Sequence, residues 1–116
     1  MKIAVAGSRS FHDYAHLCAV LDEHGPTAII SGGANGADTL ARQYAHEREL
    51  PFFEFLPKFK TDKSIPYHPR WYLTRNQDMV NAADMLVAFW DGKSKGTSFT
   101  IDYAAKIGKP SHVATT

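Results

Sequence analysis

The chain has 116 residues, of which 44% are hydrophobic and 22% charged, an ordinary globular composition. Thirteen Lys and Arg against twelve Asp and Glu leave a net charge of +1, which argues against a globally basic nucleic-acid binder and leaves room only for a local basic patch. Cys18 is the single cysteine, so an internal disulfide framework and a cysteine-based zinc cage are excluded.

The elements follow in chain order. Residues 2–6 read as a short buried strand closed by Gly7-Ser8-Arg9-Ser10. Residues 12–24 carry Tyr14, Leu17, Cys18 and Leu21 at helical spacing, with Ser10 as the expected N-cap and Gly25-Pro26 as the stop. Residues 27–30 form a second apolar strand that runs into Ser31-Gly32-Gly33-Ala34-Asn35-Gly36. A second helix is expected over 37–49 and a third strand over 52–56, separated by Pro51. Residues 57–69 hold three lysines and three prolines without a period, which reads as a long loop. A third helix over 70–83 and a fourth strand over 84–90 lead to Asp91-Gly92-Lys93-Ser94-Lys95-Gly96-Thr97. A fourth helix over 98–107, with Thr97 and Ser98 as caps, and a last strand over 111–114 complete the chain.

Strands and helices alternate strictly, and the strands are continuously apolar. That pattern implies an α/β fold with a parallel sheet covered on both faces. Right-handed crossovers make it doubly wound, with expected strand order 3-2-1-4-5 and a switch point between the first and fourth strands. One domain over residues 1–116 accounts for the length. No apolar run approaches the roughly 18 residues that span a membrane, and residues 1–7 are too short for a signal peptide. A cytoplasmic protein without membrane partners is the expectation.

In such a sheet ligands bind outside the carboxyl ends of the strands, near the switch point. Three of those ends carry glycine-bearing turns that lead into helix N-termini, where unpaired N–H groups and the helix dipole favour an anion. A phosphate is the natural occupant, and glycine lets it approach the backbone; the plainer reading is that the glycines only make tight turns. Gly92-Lys93-Ser94 resembles the end of a phosphate-binding P-loop, but Val87 stands where that motif needs glycine. The 31–36 turn falls one glycine short of a dinucleotide fingerprint because position 31 is Ser. His12 and His16 lie four residues apart without a third ligand, so no metal and no cofactor is expected.

Gly7-Ser8-Arg9, Ser31-Gly32-Gly33-Ala34-Asn35-Gly36-Ala37-Asp38, Arg75-Asn76 with Met79, and Trp90-Asp91-Gly92 with Lys95-Gly96-Thr97 occur in this order. With those motifs the chain resembles the SLOG superfamily, in its small YspA/YpsA-related branch, from Lys2 to Pro110. The resemblance implies a Rossmann-like five-stranded domain that binds a nucleotide or nucleotide-derived ligand, as a sensor, sequestering or binding module. It also implies self-association, because relatives form homo-oligomers. Enzymatic relatives release bases from nucleoside monophosphates and place a glutamate three residues after the Gly-Thr pair; here that position is Thr100. Arg75 matches the other half of their catalytic pair. Binding is therefore expected ahead of N-glycosidic hydrolysis, for which Arg75 and Asp38 would be the catalytic candidates.

The expected ligand-binding set is Gly7, Ser8, Arg9, Ser31, Gly32, Gly33, Asn35, Gly36, Asp38, Arg75, Asn76, Trp90, Asp91, Gly92, Lys95, Gly96 and Thr97. Arg9 and Arg75 would neutralise phosphate charge, and Trp90 or a loop aromatic would hold a base. Competing readings are an ordinary surface role for Arg9, a solvated Arg75, an Asp38 that merely answers its helix dipole, and a Trp90 buried under the following helix. Phe59, Tyr67, Trp71 and Tyr72 interleave with Lys58, Lys60, Lys63 and Arg70, a mixture that suits single-stranded nucleic acid and makes it the less favoured partner.

Overall fold

A computed structural model describes residues 1–116. Five strands, β1 (Lys2–Gly7), β2 (Ala28–Ser31), β3 (Phe52–Glu54), β4 (Met85–Trp90) and β5 (Ser111–Thr115), form one sheet of order β3-β2-β1-β4-β5. Every neighbouring pair is parallel. The helices are α1 (Tyr14–His24), α2 (Ala37–Glu47), α3 (Lys58–Thr61), α4 (Arg70–Ala82) and α5 (Lys95–Lys106). This is the doubly wound, Rossmann-like arrangement expected from the alternation of elements.

The alternation of side chains along the central strands builds two cores. Ile3, Val5, Ile29, Val87 and Phe89 face α1 and α2, meeting Leu17, Leu21, Ala41 and Tyr44. Ala4, Ala6, Ile30, Leu86 and Ala88 face the other way, against Met79, Val80 and Ala104 of α4 and α5. Alanines on that second face let the helices lie close to the sheet. Cys18 packs half-buried against the first core, as a small hydrophobe does.

Several local expectations are corrected. Ser10 does not cap α1; the Asp13 carboxylate accepts from His16 N–H at 3.0 Å and starts the helix four residues after Ser10. Thr97 and Ser98 are inside the first turn of α5, which is capped by Ser94. Starting α5 at Lys95 uses Asp91 as the preceding turn: its Oδ1 accepts from the N–H groups of Lys93 and Ser94, both at 2.8 Å. The stretch 57–69 is not wholly loop, because a single turn of helix, α3, follows Pro57. No helix is long and apolar enough to cross a membrane.

Candidate functional site

The connections after β1 and β4 leave on opposite faces of the sheet, because α1 packs on one core and α5 on the other. A crevice opens between them. Here it is a cleft of about 470 Å³. Gly7, Ser8, Arg9 and Ser10 line it after β1, and Asp91, Ser94, Gly96 and Thr97 after β4. Asp38 of α2 and Tyr72, Leu73, Arg75, Asn76 and Met79 of α4 complete the wall. An adjoining hollow of about 230 Å³ is lined by Gly32, Gly33, Asn35 and Lys60, and shares Arg9, Ala34, Tyr72 and Arg75 with the cleft.

Arg75 stands at the junction. It is only 8% exposed, an unusual state for a helical arginine. Its guanidinium donates to the Gly32 carbonyl, to the Phe55 carbonyl at 3.3 Å and to Asn76 Oδ1 at 2.8 Å. These bonds tie α4 to the ends of β2 and β3. Burial pulls its pKa down while the charge of Asp38 pushes it up; an arginine remains a cation through such a shift. The Tyr72 ring lies beside both Arg75 and Arg9, with guanidinium carbons 5.7 and 5.9 Å from its centre.

Asp38 is the half-buried counter-charge. Its carboxylate accepts from Ser31 Oγ at 2.6 Å and from Ala34 N–H at 3.0 Å. Burial raises its pKa, against the lowering effect of those two bonds and of Arg75. Asp38 thereby holds the 31–36 turn onto the first turn of α2.

The mouth of the cleft offers unsatisfied donors. Ser8 is 3% exposed, and its Oγ meets no acceptor in hydrogen-bond geometry; its nearness to Asp91 helps hold that carboxylate down. The N–H groups of Arg9 and Ser10 donate to no protein acceptor. The N-terminus of α5 opens on the same space through Gly96 and Thr97. Asp91 is held below the usual carboxylate range by the backbone N–H groups of Ser94 and Lys93, and its Oδ2 makes no hydrogen bond within the protein.

The residues expected at the site divide into three groups. Gly7, Ser8, Arg9, Asp38, Arg75, Asn76, Asp91, Gly96 and Thr97 come together in the cleft. Gly32, Gly33 and Asn35 line the adjoining hollow. Ser31, Gly36, Trp90, Gly92 and Lys95 line neither. Ser31 acts through Asp38, Trp90 Nε1 donates to the Ser94 carbonyl at 3.1 Å under the α5 turn, and Lys95 is exposed. Gly36 has φ +76°, and a Cβ there would lie 2.4 Å from the carbonyl oxygens of both Ser8 and Arg9. It lets the first two turns touch. Thr100, in place of the glutamate of the enzymatic relatives, is fully buried, and its Oγ1 donates to the Gly96 carbonyl at 2.9 Å. Tyr72 belongs to both hollows and was absent from the expected set, although its loop-flanking aromatic neighbourhood was visible in the sequence.

Fold and cleft together define a Rossmann-like domain whose open crevice lies at the carboxyl ends of its central strands. The chain belongs to the YspA, cpYpsA-related SLOG family, whose sequence pattern matches residues 1–61. It is 30% identical over 115 residues to the Gene 61 protein of Mycobacterium phage D29, an alignment that covers 94% of this chain and 92% of that protein. Its fold is similar to that of DNA processing protein A from Helicobacter pylori, a structure described for its single-stranded DNA binding mode, with a TM-score of 0.74 and 23% identity. That alignment covers 97% of this chain and 64% of the other.

Proposed function

We propose that the protein binds a nucleotide or nucleotide-derived ligand in the cleft between β1 and β4. The observation that carries the reading is the buried, unpartnered Ser8 Oγ beside the free N–H groups of Arg9 and Ser10. A buried hydroxyl without a partner costs about 1–3 kcal/mol, and an anion oxygen bound there removes the cost. The phosphate lies between the turn after β1 and the N-terminus of α5, with the helix dipole and the Arg75 charge in support. Arg9 closes over it from the rim. Asp91 Oδ2 accepts from a ribose hydroxyl, and the Tyr72 ring stacks on the base. Trp90, tied beneath the α5 turn, is left out of this arrangement.

Binding without N-glycosidic hydrolysis is the form we favour. Thr100 offers no carboxylate, and both oxygens of Asp38 are engaged by the 31–36 turn. The free carboxylate oxygen of the cleft, Asp91 Oδ2, is taken by the ribose hydroxyl in this arrangement and is then not available to activate water. Isothermal calorimetry against a panel of nucleoside mono- and diphosphates, ADP-ribose and cyclic nucleotides tests the reading. At least one member should bind with a Kd that weakens in Arg9→Ala; silence across the panel would overturn it. Release of free base from a monophosphate would overturn the non-hydrolytic form.

A second reading rests on the Phe59, Tyr67 and Tyr72 rings, which pack edge to face with centres 5.0 to 6.4 Å apart. Lys60 lines the hollow beside them. Such a basic and aromatic surface suits single-stranded nucleic acid, and the fold neighbour's described DNA binding adds support. Oligonucleotide affinity that falls steeply with salt and is lost in Tyr67→Ala would favour it; salt-independent or absent binding would remove it.

A further inference from the structure

At the opposite end of the sheet from the cleft, three donors converge that the sequence separates widely. His24 is the last residue of α1, and His112 is the second residue of β5. His24 Nε2 lies 2.8 Å from His112 Nδ1, and one ligand atom from each of Glu23, His24 and His112 lies within 4.8 Å of the other two. Both histidines are half-buried and Glu23 is exposed. We propose that Glu23, His24 and His112 form a binding site for a divalent first-row metal ion of the imidazole-preferring kind, with Zn²⁺ as its fitting occupant.

Three arguments carry the assignment. The first is donor chemistry: two imidazoles and one carboxylate favour Zn²⁺, Ni²⁺ or Cu²⁺ over Mg²⁺ or Ca²⁺, which want oxygen. Three protein ligands also leave a fourth position for water. The second is geometry. Two imidazole nitrogens on a tetrahedral Zn²⁺ stand roughly 3.3 Å apart, given Zn–N bonds of about 2.0–2.1 Å. The two nitrogens already stand 2.8 Å apart, so a parting of about 0.5 Å, with each ring turned toward a common point, admits the ion in place of the hydrogen bond. The third is position. The site sits at the C-terminus of α1, where the helix ends on Gly25 in the left-handed conformation and the exposed carbonyls favour a cation. A bound ion would tie α1 to the edge strand β5, two elements that meet at this point through the histidine pair.

The test is calorimetric titration of the full chain with Zn²⁺, paired with thermal unfolding. The expected result is one ion per chain, micromolar affinity and a raised Tm, because the ion binds only the folded arrangement. His24→Ala and His112→Ala should each lower affinity about tenfold or more, comparable with or above the loss from a disturbed ligand partner. Glu23→Gln should weaken binding measurably, His12→Ala should not, and Mg²⁺ should not bind. Cu²⁺ electron paramagnetic resonance on the unaltered chain, showing two equatorial nitrogens, keeps the test valid if a histidine variant fails to fold. Absent Zn²⁺ binding, binding undiminished in both histidine variants, or a Cu²⁺ spectrum without paired nitrogens would overturn the site. An unchanged affinity in Glu23→Gln would overturn its three-ligand form.

Discussion

Gly96→Ala separates what a glycine does for the fold from what it does for a ligand. Gly7, Gly32 and Gly36 each have protein atoms within 2.7 Å of the place a Cβ would take: the Ala37 side chain, the Arg75 guanidinium, and the carbonyls of Ser8 and Arg9. Gly96 has nothing within 4 Å and an ordinary helical backbone, yet it lines the cleft. Alanine in a helix is worth roughly 0.5–1 kcal/mol over glycine. The value is smaller near a helix end, so a gain of about 0.5 kcal/mol and a Tm rise of about 2–4 °C are expected. The added methyl would hold a phosphate oxygen near 3.5 Å or more, whereas an N–H donor wants about 2.9 Å. Losing one charge-assisted hydrogen bond costs about 1.5–3 kcal/mol, which weakens affinity roughly 10- to 150-fold. Thermal unfolding and calorimetry with the tightest nucleotide of the panel read both effects on the same sample. A variant that is more stable and binds as well as the wild type refutes a phosphate at the N-terminus of α5.

Three further outcomes follow from the same geometry. Ser8→Ala should leave stability unchanged or raise it by up to about 1–2 kcal/mol in urea titration, since an unpaired buried hydroxyl is removed, while nucleotide affinity falls; a clear loss of stability contradicts the unpartnered assignment. Gly36→Ala should cost about 2–5 kcal/mol, combining a left-handed backbone with a collision against two carbonyls, whereas Gly92→Ala, with φ +80° and open space, should cost only about 1–2 kcal/mol; equal losses would show that the turns do not touch. Burial raises the Asp38 pKa above its ordinary 3.8, so the stability from this group is complete below 3.8 and is lost as pH rises through the raised folded value. Wild-type stability minus that of Asp38→Asn should therefore fall across that window and then level off, and a difference that grows with pH contradicts the shift.

The fold was legible because apolar strands alternate with amphipathic helices, a signal spread over many residues. Boundaries were less so, and the reason is local competition. Ser10 and Asp13 are both good caps, and only the seating of Phe11 in the core, beside Phe89 with ring centres 4.8 Å apart, decides for Asp13. Ser94 won over Thr97 because Asp91 makes the turn that delivers it. The glycine-bearing turns pointed to the sheet edge where the cleft opens, but not to the reason for the glycines: Gly7, Gly32, Gly33 and Gly36 make room for protein atoms. The burial of Arg75 could not be read from a helical position that usually meets solvent. It depends on carbonyls 43 and 20 residues away in the chain. His24 and His112, 88 residues apart, were invisible for the same reason.

Arg75 also bears on how the chain comes together. The first three strands with α1 and α2 form one run of sequence, but β1 is flanked on its other side by β4, whose partners lie some eighty residues away (Ile3 opposite Met85). Such distant pairing is slow to form. The guanidinium that reaches the Gly32 and Phe55 carbonyls arrives with the later part of the chain, as do Asp91 and the α5 N-terminus. The cleft is thus complete only when the whole chain has assembled, and a fragment ending before α4 would carry the first two turns without the wall that faces them.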